Sequence, residues 1–307
     1  MSARRTLAWG YAMVCSSYLI MGSIGALVDW TTAPESALLV IRFVTAGMVL
    51  GIVFARRQPL AGIRRPGVPP RLIAMGLIDA LTLLLFFVAM RETSVAIGMF
   101  LVFVAPVWVA VLAPRVFKVR TEPIVYVALV VAFVGLAMIL VPMLAGEGVK
   151  VSWLGVIAGT VAGLGYACFQ MTVKGLTNLG VASHVIVTAE SALDAVILLP
   201  LALWQTVGAG YQLTQRDLFV GIVLGVVCTA LAYTLWTEGV SRVRVQHASM
   251  LGYLEPVSAP LYAFLLIGER PGPWTLLGGA VIIVAGALVI VFGDKGELAD
   301  LEELVPL

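Results

Sequence analysis

The stretch MLGYLEPVSAPLYAFLLIGERP, Met250 to Pro271, is long enough to cross a bilayer as a helix, yet it holds Glu255 beside Pro256 near its centre. Apolar runs of similar length recur along the whole chain. Of the 307 residues, 61% are hydrophobic and 12% charged, too few charges to cover a soluble domain of this size. The pattern predicts an all-α membrane protein with ten spans, at residues 9–28, 36–55, 72–89, 94–113, 123–141, 153–172, 183–203, 218–237, 246–267 and 275–292. Short alternating strands, the mark of a membrane β-barrel, are missing from the sequence pattern. The first run is not followed by a cleavage site and a soluble body, so a cleaved signal peptide is not expected. The longest connection, residues 56–71, is too short for a catalytic domain.

Working outward from Glu255-Pro256, the run SMLGYLEPVS (Ser249 to Ser258) aligns with MFLVFVAPVW (Met99 to Trp108) at an offset of 150, placing Pro106 on Pro256. The ends of spans 5 and 10, from Phe133 and from Val284, match at an offset of 151. Two matches at nearly one offset predict a repeat of five helices plus five: residues 1–145, then 146–294, then a short tail at 295–307. Five is odd, so the second copy enters the membrane from the opposite side. The basic residues agree. Fourteen fall on the side of both termini (Arg4, Arg5, Arg56, Arg57, Arg64, Arg65, Arg71, Arg115, Lys118, Arg120, Lys174, Arg242, Arg244 and Lys295) and four on the other (Arg91, Lys150, Arg216 and Arg270). The excess predicts that both termini are cytoplasmic. Inverted repeats give two conformations that mirror each other across the membrane, which suits a carrier working by alternating access.

An ionised side chain at the centre of a lipid-facing helix costs about 2.5–3.5 kcal/mol on insertion scales. Asp79, Glu190, Asp194, Glu255 and Arg42 all lie inside spans and are therefore expected to face protein or water. Glu190 and Asp194, four apart, share a helix face. Arg42 lies at the equivalent point of the repeat and is a candidate structural partner for them. Together the three form a charged network that either binds substrate or protons, or holds helices together. Asp79 has no basic residue on its own span. It could bind an ammonium or a proton, or accept a packing hydrogen bond. Pro106 and Pro256 bend equivalent helices, because proline removes a backbone donor and frees a carbonyl one turn earlier. Such paired bends are candidates for gating. Glu255 sits where the bend exposes polar backbone.

Tyr18, Phe86, Phe103, Tyr166, Trp236 and Tyr253 lie at mid-span, where aromatic rings can line a pocket for an amphipathic molecule or simply pack. Gly155, Gly159, Gly163 and Gly165 give span 6 a small-residue face for close helix approach. A central cavity between the two copies is expected, contributed by spans 1, 3, 4, 6, 8 and 9. The two histidines and three cysteines show no metal-ligand spacing and no disulfide framework. No catalytic residue, metal or cofactor is expected. A membrane enzyme or a channel is the alternative of another class.

The run YLEPVSAPLYAFLLIGERP (Tyr253 to Pro271) followed by LLGGAVIIVAGALVIV (Leu276 to Val291) resembles the C-terminal end of an EamA-type repeat, of the drug/metabolite transporter superfamily. The first copy departs from it, with Ala105 in place of Glu255 and Ala113-Pro114 in place of Gly268-Glu269. The resemblance implies a carrier of small metabolites in the bacterial inner membrane. Within the superfamily the chain resembles YddG-type exporters of aromatic amino acids and of flat cations such as methyl viologen. The partners so implied are a small-molecule substrate and the lipid bilayer, not nucleic acid, and a monomeric state is compatible with them. A nucleotide sugar or another anion is the alternative substrate.

Overall fold

The computed structural model describes residues 3–54, 62–146, 152–208 and 210–293. Arg56, Arg57, Lys150 and Lys295 of the charge pattern, the sequence just after the 145/146 boundary at 147–151, and the tail 295–307 lie outside them. Among the described residues there is no strand, and ten helices are long and apolar enough to cross a membrane. They are α1 (Arg4–Val28), α2 (Glu35–Phe54), α3 (Val68–Glu92), α4 (Val95–Phe117), α5 (Pro123–Leu140), α6 (Trp153–Asn178), α7 (Ser183–Val207), α8 (Gln215–Arg242), α9 (Val245–Ile267) and α10 (Pro273–Phe292). Several outrun the apolar segments expected from sequence. The helix continues through its polar ends until a stop signal intervenes, such as Gly180, whose φ is +73°.

Three helices are broken internally. α1 pauses at Gly22, between Ala3–Met21 and Ser23–Val28. A side chain there would strike α9: a Cβ would lie 2.8 Å from the Glu255 carbonyl oxygen and 2.9 Å from the Ala259 nitrogen. α4 breaks at Phe103–Val104, and α9 at a 3-10 turn over Leu251–Tyr253. Both breaks end within three residues of the proline that follows. Pro106 cannot donate to the Val102 carbonyl, nor Pro256 to that of Gly252, so each helix restarts at or just before its proline. The Val107 amide turns back to the Val104 carbonyl at 2.9 Å. The C-terminal ends match as well. α4 closes on Lys118 at φ +57°, and α9 on Gly268 at φ +76°, again 150 residues on.

Helix packing follows the repeat. α3 packs on α6 and α8 on α1, two pairs that exchange when five is added to each helix number. α4 on α6 exchanges likewise with α9 on α1, and α2 on α8 with α7 on α3. α2 on α7, α5 on α10 and α4 on α9 map onto themselves. The bundle thus has the pairing pattern of two copies related by a two-fold axis. Glycine sets the tightest crossings. A Cβ on Gly163 of α6 would lie 2.6 Å from the Leu101 carbonyl oxygen of α4, and one on Gly135 of α5 would lie 2.7 Å from the Gly278 carbonyl oxygen of α10. Such close backbone approach stabilises helix pairs where water is absent.

Candidate functional site

Tyr166 and Phe169 are three apart on α6, as are Tyr233 and Trp236 on α8, so each pair presents one face. The Phe169 ring stacks on Tyr166 (centroids 6.2 Å, 11° between planes) and on Trp236 (6.1 Å, 14°). Trp236 Nε1 donates a buried hydrogen bond of 2.9 Å to the Tyr18 hydroxyl of α1. Tyr18 also meets the Tyr166 hydroxyl. The close α1–α9 approach at Gly22 brings the half-buried Glu255 into electrostatic reach of Tyr18 and Tyr166. Its carboxylate makes no hydrogen bond or ion pair among the described residues. The result is an aromatic row at the centre of the bundle with a carboxylate beside it whose charged neighbour, Arg42, acts only at longer range. Within this centre Tyr18, Phe169 and Trp236 are buried, whereas Tyr166, Tyr233 and Glu255 keep partial exposure. A cavity of about 530 Å³ lies at the end of the bundle away from the termini, lined by Pro34, Glu35, Arg91, Trp204 and Gln205 among others.

A second polar group lies between α3 and α7. Asp79, Glu190 and Asp194 are buried, and their carboxylate oxygens come within 4.8 Å of one another. The fold joins Asp79 to the pair that sequence spacing had set apart. Arg42 takes a different place from the one expected. Its Nε donates to Thr229 Oγ1 of α8 at 2.6 Å, and its guanidinium lies over the Tyr233 ring, 5.4 Å from the centroid. It forms no ion pair within 4.0 Å with Glu190 or Asp194, and acts on Asp79, Glu190 and Asp194 only at longer range. The cause is local. Residues Leu224–Leu231 of α8 form a π-helical turn, which packs on α2. Thr229 belongs to that turn and is buried against Arg42. π-turns of this kind re-aim side chains.

Phe103 and Tyr253, repeat-equivalent residues at the two breaks, stack at 6.1 Å. The buried Tyr253 hydroxyl donates to the Phe103 carbonyl oxygen at 2.8 Å. They pack with α5 and α10, apart from the aromatic row. Phe86 stacks on its neighbour Phe87 toward the other end of α3. Pro106 and Pro256 stand just inside the restarted segments of α4 and α9.

Side chains join the two copies at both ends. At the end bearing the termini, the Tyr11 hydroxyl meets His247 Nδ1 at 2.6 Å, and Glu122 pairs with Arg244 at 2.9 Å and lies 3.6 Å from His247 Nε2. At the opposite end, Thr31 donates to Asp217, which Tyr211 of the same copy also engages at 2.9 Å, and Ser36 donates to Gln205 at 2.6 Å. Sequence reasoning passed over these contacts, and placed Phe169 and Tyr233 among the aromatics within spans without making them site candidates. The three-residue spacing of the aromatics was a usable signal. The end contacts join residues as far as 236 positions apart and left none.

The family model of the EamA-like transporter family matches this chain twice, at residues 8–141 and 150–292. An uncharacterized transporter of Archaeoglobus fulgidus is 28% identical over 93% of this chain and 97% of its own. The pseudopaline exporter CntI of Pseudomonas aeruginosa is 26% identical, covering 85% of this chain and 89% of its own. A protein of known crystal structure, 16% identical, superposes over 93% of this chain and 98% of its own with a TM-score of 0.79, which shows a shared fold.

Proposed function

This chain belongs to the EamA-like transporter family, and on that premise we propose that it is an inner-membrane carrier exporting amphipathic compounds that bear an ammonium, such as aromatic amino acids or flat organic cations. The observation that carries this reading is the Glu255 carboxylate, without a hydrogen bond or ion pair among the described residues, beside the row Tyr166, Phe169 and Trp236. A stacked row offers a broad apolar face and negative ring faces, and the carboxylate can receive a positive charge. The twofold packing supports alternating access. In that cycle the Tyr11–His247 and Glu122–Arg244 contacts open one end, while the Thr31–Asp217 and Ser36–Gln205 contacts hold the other. Separation at either end would unstack the row and admit substrate. Both termini lie in the cytoplasm, following the basic residues. The pseudopaline exporter shows that one distant relative exports a different compound, so substrate class is the point to test.

The experiment is counterflow into proteoliposomes with phenylalanine, tryptophan, threonine and methyl viologen, and with a nucleotide sugar and a sugar phosphate as anionic controls. Saturable counterflow of the aromatic compounds supports the proposal. Movement of an anionic control, with none of the aromatic compounds moving, overturns it in favour of an anion carrier. Flux without counterflow identifies a channel.

A further inference from the structure

The carboxylates of Asp79, Glu190 and Asp194 carry three negative charges when ionised, and Arg42 supplies one positive charge nearby. Glu190 is 1% exposed and Asp194 0%. Glu190 Oε1 and both Asp194 oxygens have no hydrogen-bond partner. Buried charges in this condition are strongly destabilising unless neutralised. Arg42 offsets at most one of these charges and makes no ion pair with them, being held by Thr229 and Tyr233, with its own Nη2 also buried and unpartnered. The other titratable groups in electrostatic reach of Arg42 are Tyr233 and Cys228 of α8 and Glu255 of α9, none of which adds a positive charge. The oxygens of Asp79, Glu190 and Asp194 lie within 4.8 Å of one another, and carboxylates that close and that buried coexist only with protons or a cation among them. Three oxygens within 4.8 Å of one another lie no more than about 2.8 Å from a common centre, so a small inward shift lets them share one ion at ordinary metal–oxygen distances of about 2.3–2.6 Å.

We infer that Asp79, Glu190 and Asp194 form a cation-binding centre, separate from the aromatic row, that takes up two positive charges as protons or as one divalent metal ion. The charge sum requires two: three carboxylates less one guanidinium. The centre lies between α3 of the first copy and α7 of the second, so movement of the copies would open it. Arg42 is the resident cation that would compete for it once Thr229 releases the guanidinium. None of this depends on which substrate the aromatic row takes.

The test uses the purified full chain in detergent, and two measurements distinguish the sources. Infrared spectra of chelator-treated protein near neutral pH report protonated carboxyl groups. Equilibrium dialysis against manganese(II) chloride reports metal. The expected result is one of two: a protonated-carboxyl band that weakens in Asp194→Asn and in Glu190→Gln, or one manganese ion per chain whose affinity falls at least tenfold in the same variants. Arg42→Gln, which removes the competitor, should strengthen the manganese binding. A folded wild-type chain with neither the band nor bound manganese overturns the inference without recourse to any variant. A band or bound metal unchanged in all of Asp79→Asn, Glu190→Gln and Asp194→Asn also overturns it.

Discussion

Tyr253→Phe removes one oxygen and leaves the ring in place. That oxygen donates at 2.8 Å to the carbonyl of Phe103, where α4 is broken. The carbonyl has no second donor at hand, because the Val107 amide that would reach it in an unbroken helix bonds the Val104 carbonyl at 2.9 Å. Tyr253 is 0% exposed, so water does not replace the lost donor. A stranded buried acceptor costs about 1–3 kcal/mol. Hydrogen bonds between membrane helices average about 0.6 kcal/mol and reach about 1.7, since the unfolded chain in a membrane also finds partners. The absence of an alternative donor places this bond toward the upper end, and we expect a loss of about 1–1.5 kcal/mol. Reversible unfolding in mixed micelles with a denaturing detergent measures it, with Tyr262→Phe as control, because the half-buried Tyr262 makes no hydrogen bond among the described residues. If the two variants shift stability equally, the bond does not hold the two breaks together.

Three further outcomes follow from the same geometry. Gly163→Ala places a Cβ 2.6 Å from the Leu101 carbonyl oxygen, so α6 and α4 must separate; overpacking costs about 1–3 kcal/mol, read by the same unfolding assay. Lys118→Gly relieves a left-handed residue at φ +57° and should stabilise the chain by up to about 1 kcal/mol, bringing the end of α4 to the form Gly268 already gives α9. Replacing Pro106 and Pro256 together by alanine should slow exchange more than it weakens substrate affinity; turnover at the wild-type level with intact folding would show that the breaks are not used in gating.

The spans were legible because uninterrupted apolar runs have one stable form in a bilayer, with every backbone group bonded inside its own helix. The breaks in α4 and α9 were legible from Pro106 and Pro256, since a missing amide acts locally. The π-turn at Leu224–Leu231 was not legible: it contains no proline, and its extra residue per turn has no compositional mark. That turn cost the reading its partner for Arg42, because it brings Thr229 to a guanidinium that charge alone would have paired with Glu190. The meeting of Asp79 with Glu190 and Asp194 depends on how α3 and α7 are rotated about their axes. Tertiary packing fixes that rotation. Gly76 marks one contact, since a Cβ there would lie 2.6 Å from the Leu193 side chain. Tyr18, Tyr166 and Trp236 were all candidates, but their grouping required the α1–α8 and α6–α8 contacts.

Glu255→Gln gives the most direct test of the central site. It preserves the shape of the side chain and removes its charge, and the carboxylate makes no hydrogen bond or ion pair among the described residues, with Arg42 its charged neighbour at longer range. The measurement is initial counterflow per folded transporter for an aromatic amine, such as tyramine, against a neutral compound of the same ring. Wild-type protein should carry the amine in preference to the neutral compound, and Glu255→Gln should lose that preference by tenfold or more. Equal preference in wild type and variant would contradict the assignment of Glu255 and the aromatic row as the place where substrate binds.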